Sequence, residues 1–286
     1  MQCILVSISR ATLAGVLVLA ALGTAGCTGP NHPEEVANST FHSLRNTVKG
    51  HAESNDGVVQ FRALGPIDVV VDSVGGHVEV IGNPRSSVTT VQVVREARHG
   101  YLRGSEPYEA LQMIDWTADL APGPGPVETL RVTSDYDGPE AWFIRTHIRI
   151  ETPDLASVNV RTVRGSVEVV NNTGAVDIRT EEGSILVASE HPLRGENILI
   201  GSGGDVDYRV PRGSTGYFDV EVVDGEIMTR ITEGLWRYVR KANSADMVNA
   251  TLNDGTNPVI IRTTEGDIRI SVVRNPLGYG PLRTSA

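Results

Sequence analysis

Cysteine occurs only twice in this 286-residue chain, at Cys3 and Cys27, lysine only twice, at Lys49 and Lys241, and aromatic residues make up 5%. Each shortage excludes a class of chemistry. With one cysteine at the extreme N-terminus, a disulfide framework, a Cys-based metal centre and a Cys nucleophile all lapse together. Scarce lysine and a formal net charge of −10 disfavour nucleic acid and anionic lipid surfaces as partners, because neutralising phosphates requires a basic face. The seven histidines, at 32, 42, 51, 77, 99, 147 and 191, stand singly, without HExxH or H-x-H spacing, so no metal site is expected. A Gly-x-Ser-x-Gly nucleophile elbow and a Gly-x-x-x-x-Gly-Lys phosphate loop are missing too, so no catalytic residue and no cofactor is assigned.

What the N-terminus does contain is the layout of an export signal. Arg10 is the only charge before an apolar run from Ala11 to Leu22, which is too short for the roughly 20 residues of a membrane span. The segment Thr24-Ala25-Gly26-Cys27 resembles the bacterial lipobox, with Thr24 where a Leu is usual. That resemblance implies cleavage after residue 26 and lipidation of Cys27, hence a membrane partner reached through an N-terminal acyl anchor. The alternative is an ordinary secretory signal. Removing residues 1–26 takes away Arg10 and no acid, so the net charge moves from −10 to −11. Thr28 stands where an Asp retains enterobacterial lipoproteins at the inner membrane, which implies the outer membrane or cell surface.

Residues 27–56 are polar and broken by Pro30 and Pro33, the composition of a flexible tether. From 57 to 152 the pattern is alternating apolar and polar, punctuated by Gly-Pro, Gly-Gly and Asn-Pro, as expected of strands joined by turns. Within it, Glu106-Pro107 opens one short helical pattern with Tyr108, Leu111 and Ile114 on one side.

From 153 to 273 a repeat takes over. RTVRGSVEV at 161–169, RTEEGSILV at 179–187 and RTTEGDIRI at 262–270 share Arg-Thr, two variable residues, Gly, a small or acidic residue and branched aliphatics in alternation. Glycines preceding such alternations stand at 165, 183, 204, 225 and 266, and recurrence near 20 residues is the period of a solenoid. The long step from 225 to 266 predicts a coil filled by an insertion at 233–257, and 274–286 is a tail. Glycine supplies the corner, and Val167, Val169, Val176, Ile178, Ile185, Val187, Val206, Tyr208, Ile227, Ile268 and Ile270 are predicted to face inward. Gly174, midway between two corners, predicts more than one strand per coil. Leucine-rich, β-propeller and calcium-nonapeptide patterns are absent.

These segments, with VGGHVEVIG at 74–82, resemble the bacterial putative-adhesin β-repeat family, a domain of unknown function. The resemblance covers about Ile67 to Ile270 and implies an all-β fold: a single-stranded right-handed β-helix or related β-solenoid, with an N-terminal β-rich portion. It carries no catalytic residues.

Two features remain as candidate chemistry. Glu168, Asp177, Asp205, Asp207, Glu226 and Asp267 occupy outward phases, where a β-helix polysaccharide lyase or hydrolase would keep its acids; pairing with Arg161, Arg179, Arg209 and Arg262 is the structural alternative. Trp236, Arg237, Tyr238, Arg240 and Lys241 combine aromatics with bases, which suits either ligand contact or a cap over the solenoid end. The function expected is that of a non-enzymatic, lipid-anchored envelope protein presenting a solenoid surface to envelope glycan or protein. Alternatives are the enzyme and an envelope sensory or scaffold domain.

Overall fold

The structure, a computed structural model, describes residues 50–99, 105–123, 125–239 and 244–278. In chain order its strands are β1 (His51–Phe61), β2 (Ile67–Ser73), β3 (Val78–Gly82), β4 (Thr89–Arg98), β5 (Ile114–Pro122), β6 (Glu128–Tyr136), β7 (Ile144–Thr152), β8 (Leu155–Arg164), β9 (Val167–Val170) and β10 (Val176–Glu182). They continue as β11 (Ile185–Ala188), β12 (Asn197–Gly203), β13 (Val206–Val210), β14 (Gly216–Asp224), β15 (Ile227–Ile231), β16 (Trp236–Tyr238), β17 (Met247–Leu252), β18 (Pro258–Glu265) and β19 (Ile268–Val272). One helix, α1 (Glu106–Gln112), precedes β5.

Two sheets face each other across an aliphatic core. The first has the order β1-β4-β7-β3-β9-β11-β13-β19-β15, the second β16-β17-β14-β18-β12-β10-β8-β2-β6-β5. Seven strand pairs, one strand in each sheet, make seven stacked coils whose neighbours are parallel. Parallel strands ordinarily need a crossover of a dozen residues or more. Here the crossover is the strand in the opposite sheet, which is why each coil takes about 20 residues; the expectation of more than one strand per coil is met with two. The predicted inward residues are buried, except that Ile227 on the terminal strand β15 is only half-buried.

Stacking order departs from chain order. The coil β18–β19 lies between β12–β13 and β14–β15, and β6–β7 lies outside β2–β3. The long interval from Gly225 to Gly266 therefore contains no missing coil. Its residues leave the stack, build the antiparallel strands β17 and β16 beside β14, and return to fill the place next to β12. The N-terminal β-rich portion is likewise part of the solenoid, since β2, β3, β6 and β7 form its first two layers. The expected tether ends earlier than residue 56, because β1 begins at His51.

The corner glycines form a ladder in this spatial order. A Cβ at Gly165 would lie 1.7 Å from the Gly76 carbonyl oxygen, and one at Gly183 would lie 2.4 Å from the carbonyl group of Gly165. Positive φ values of 144° and 133° at the two positions add a second reason for glycine. The residue after each glycine binds the next layer: Asp267 N donates to Asp205 Oδ1 at 3.0 Å, and Glu226 N donates to Asp267 Oδ1 at 3.1 Å.

At the N-terminal end β4 and β1 extend the first sheet and β5 the second, all antiparallel. Helix α1 buries Pro107, Ala110 and Leu111, whereas Tyr108, expected on the buried side, is exposed. Proline in the first turn sets the start, and Ala110 and Leu111 pack with Ala52, Ala97, Ile114 and Ile144 in a small second core. Arg95 ties these parts together: it donates to the carbonyls of Leu111 (3.1 Å) and Ile114 (2.9 Å) and to Asp56 Oδ1 (2.8 Å), while Trp116 Nε1 donates to Asp56 Oδ2 (2.7 Å).

Candidate functional site

The outward carboxylates of the coils are largely engaged by the protein itself. Arg179 Nε donates to Asp177 Oδ1 at 3.0 Å, Arg262 reaches Asp219 at 2.8 Å and Glu221 at 3.4 Å, and Arg269 lies 3.3 Å from Asp205 and 3.7 Å from Asp267. Arg164 faces Glu182 and Arg149 pairs with Glu79. Asp207 departs from its expected outward exposure. It is 4% exposed and its partner Arg209 5%, with Arg209 Nε donating to Asp207 Oδ1 at 2.9 Å. After β19 the chain returns: Val273 N donates to the Val210 carbonyl, and a 3₁₀ turn at Pro276–Gly278 packs against β13. A charge pair closed in this way must be mutually satisfied, and it is.

A polar cluster that sequence spacing does not reveal sits where β1, β4 and β7 meet. Glu96 is buried; His51 Nε2 lies 2.7 Å from its Oε1, Arg98 Nε donates to the same oxygen at 2.6 Å, and His147 Nε2 lies 3.3 Å from Oε2. The His77 amide donates to His147 Nδ1 at 3.2 Å, so the ring proton of neutral His147 belongs on Nε2, aimed at Glu96. Burial alone would push the Glu96 carboxyl up, but the bonds from His147, Arg98 and His51 outweigh it and hold it at about 2. His51, Glu53 and Glu96 each bring one donor atom within 4.8 Å of the others, as do His99, Glu106 and Glu140, although no metal site was expected. In the first group the carboxylate is already saturated by the protein's own donors. Arg98 is two residues from Glu96 on β4, whereas His51 and His147 come from β1 and β7, and only sheet register brings these two to the carboxylate.

Trp236, Arg237 and Tyr238 form β16, the edge of the second sheet. Trp236 packs on Phe218, with ring centroids 4.9 Å apart, and joins the main core, while Arg237 is exposed and Tyr238 is 56% exposed. Arg240, Lys241 and Cys27 lie outside the described residues.

The outer face of the second sheet carries the three Arg-Thr motifs, and they are not equivalent. Arg161 and Arg179 are in direct register on β8 and β10, with Asp72 of β2 beside Arg161. Neighbouring strands lie about 4.8 Å apart, so two guanidinium groups share one stretch of surface. Arg179 and Arg262 are ion-paired, whereas Arg161 meets no carboxylate or carbonyl partner among the described residues. Inside the corner, Thr180 Oγ1 donates to the Gly165 carbonyl at 3.3 Å and Thr263 Oγ1 to the Glu265 carbonyl at 3.0 Å. The hydroxyl of Thr162 is buried and has no partner among the described residues. Arg161 and Thr162 line an open groove of about 290 Å³, together with Asp72, Val163, Arg179 and Glu181. A second depression of about 410 Å³ shares Asp72 and Val163 and runs on to Thr133 and Asp135.

Residues 144–271 match the family described as Toastrack DUF4097. Among curated proteins none matches the chain. The crystal structure of a putative cell adhesion protein from Clostridium sporogenes is similar, with 10% identity, a TM-score of 0.52, and coverage of 78% of this chain and 100% of that one. A putative adhesin from Bacteroides fragilis aligns over 76% of this chain and 96% of its own, with 9% identity and a TM-score of 0.27. No helix among the described residues is long and apolar enough to cross a membrane.

Proposed function

We propose that this chain, which carries the Toastrack pattern over residues 144–271, is a non-enzymatic binding protein of the cell envelope, tethered through lipidated Cys27 and presenting the outer faces of its solenoid to an envelope component. The observation that supports a binding role most directly is that the outward acids a lyase or hydrolase would use, Asp177, Asp205, Asp207 and Asp267, are paired with arginines of the stack. A general acid for glycoside or lyase chemistry needs a carboxyl raised toward neutrality. The carboxyls displaced here, Asp56, Glu96, Glu151 and Asp246, are all held below their ordinary range. The adhesion protein of like fold favours the same reading, as does a stack in which register fixes every outward side chain relative to its neighbours. Anchoring rests on the small residues ending at Cys27, behind Arg10 and the apolar run.

The test uses the full chain, extracted in detergent, against immobilised envelope glycans and proteins, with product analysis of each glycan. Binding without depolymerisation is the expected result; release of shortened products, or no binding to any component, overturns the proposal. Mass analysis of the mature N-terminus checks the anchor. A lipidated Cys27 is expected, and Cys27→Ser should leave the precursor unprocessed.

A further inference from the structure

We propose that the groove beside Arg161 binds an acidic carbohydrate polymer, whose carboxylate or phosphate group is held between the guanidinium groups of Arg161 and Arg179. This deepens the binding role proposed above and rests on it. Three copies of one motif give the comparison from which the inference starts. In the copies at 179 and 262 the arginine is ion-paired and the threonine hydroxyl bonds a carbonyl at the corner. In the copy at 161 neither partner exists among the described residues: the Arg161 side chain is exposed on the groove, and the Thr162 hydroxyl is buried on the inward side of the strand.

Like charges directly opposite one another across a strand pair are unfavourable. Arg161 and Arg179 stand so, and the carboxylates nearby do not relieve Arg161. Asp72 is its register neighbour but makes no ion pair with it. The one pair Arg179 makes, with Asp177, is exposed and therefore weak. An anion bridging the two guanidinium groups supplies what the protein withholds, and arginine's planar fork suits carboxylate and phosphate oxygens alike. The rest of the groove is suited to the remainder of a sugar unit. Asp72 and Glu181 offer acceptors for hydroxyl groups, and Val163, 40% exposed and in phase with Arg161, gives an apolar surface for a ring face. The neighbouring depression continues across β2 and β6, so the path runs perpendicular to the strands for several layers of about 4.8 Å each, and a chain molecule can follow it.

The experiment measures binding of the full chain to oligogalacturonate, to a poly(glycerol phosphate) and to neutral dextran, by calorimetry at low and high salt. The two acidic probes separate carboxylate from phosphate. At least one is expected to bind, with affinity falling as salt rises; Arg161→Ala and Arg179→Ala should weaken it tenfold or more, Arg161→Lys less, and Arg262→Ala not at all. Melting curves of each variant confirm folding, and Arg161→Ala should melt with the parent because it removes no internal contact. The inference is overturned if neither acidic probe binds, if dextran binds equally well, or if Arg161→Ala binds like the parent. Binding to some other envelope component with Arg161→Ala unimpaired would remove the groove and leave the binding role. Binding to no component at all would remove both.

Discussion

Individual residues here act through close approach of backbones more than through side-chain bulk. The corner ladder predicts a contrast between two glycines with positive φ. Gly183→Ala should destabilise by more than about 3 kcal/mol, because its Cβ would sit 2.4 Å from the Gly165 carbonyl group, whereas Gly57→Ala, with nothing within 4 Å, should cost only the left-handed strain of about 1 kcal/mol. Urea denaturation midpoints of the two variants check this. Glu96 makes a second prediction at this scale. Its folded carboxyl is held at about 2, below its ordinary 4.5, so it contributes stability above pH 4.5 that is lost as pH falls toward 2. Glu96→Gln should therefore be markedly less stable than the parent at pH 6, and the gap between their denaturation midpoints should close across that window. A gap independent of pH would mean that the ionised carboxylate contributes nothing.

Among elements, the two ends of the stack are finished differently. The N-terminal end has antiparallel strands on both sheets and a helix with its own small core, while at the C-terminal end, among the described residues, only the second sheet is extended, by β17 and β16. We propose that β16 acts as a cap rather than a platform, because the Trp236 ring lies on Phe218 and joins the core while Tyr238 is mostly in solvent. Trp236→Ala should then cost about 3 kcal/mol and raise aggregation, as an exposed edge pairs with other chains, and Tyr238→Ala should cost only about 0.5 kcal/mol. Thermal melting and light scattering read both. Equal and small effects would return these two residues to the list of ligand contacts.

For the whole molecule, the inserted coil changes what truncation does. In a solenoid stacked in chain order, deleting the last repeat trims one end and leaves the remainder folded. Here the last coil, β18–β19, is an internal layer between β12–β13 and β14–β15. A chain ending at Leu252 would expose both neighbouring layers and lose the parallel partners of β14 and β15. It is expected to lose the cooperative unfolding transition altogether, not to melt a few degrees lower. A truncated chain with a single sharp transition would refute the interleaved order.

How much was legible from the chain follows from how local each cause is. Alternation of apolar and polar residues sets which side chains face inward within a strand, and a corner glycine announces itself because no other residue fits there. An all-β stack of coils with buried Val176, Ile185 and Ile268 was therefore determined by the sequence itself, whereas the inclusion of β2, β3, β6 and β7 among its seven layers was visible only in the strand pairing. Coil order was not determined by the sequence either, since an interval near two repeat lengths is compatible with a skipped layer or with an excursion and return, and only strand pairing chooses between them. Burial of Asp207 and Arg209 depends on where the chain after Val272 comes to rest, and the low carboxyl of Glu96 on two histidines brought by register from β1 and β7 to join Arg98 of its own strand. Arg161 divides between the two: Asn159 stands where Asp177 pairs with Arg179, a difference the sequence contains, whereas only the structure shows that Asp72, its register neighbour on β2, makes no ion pair with it.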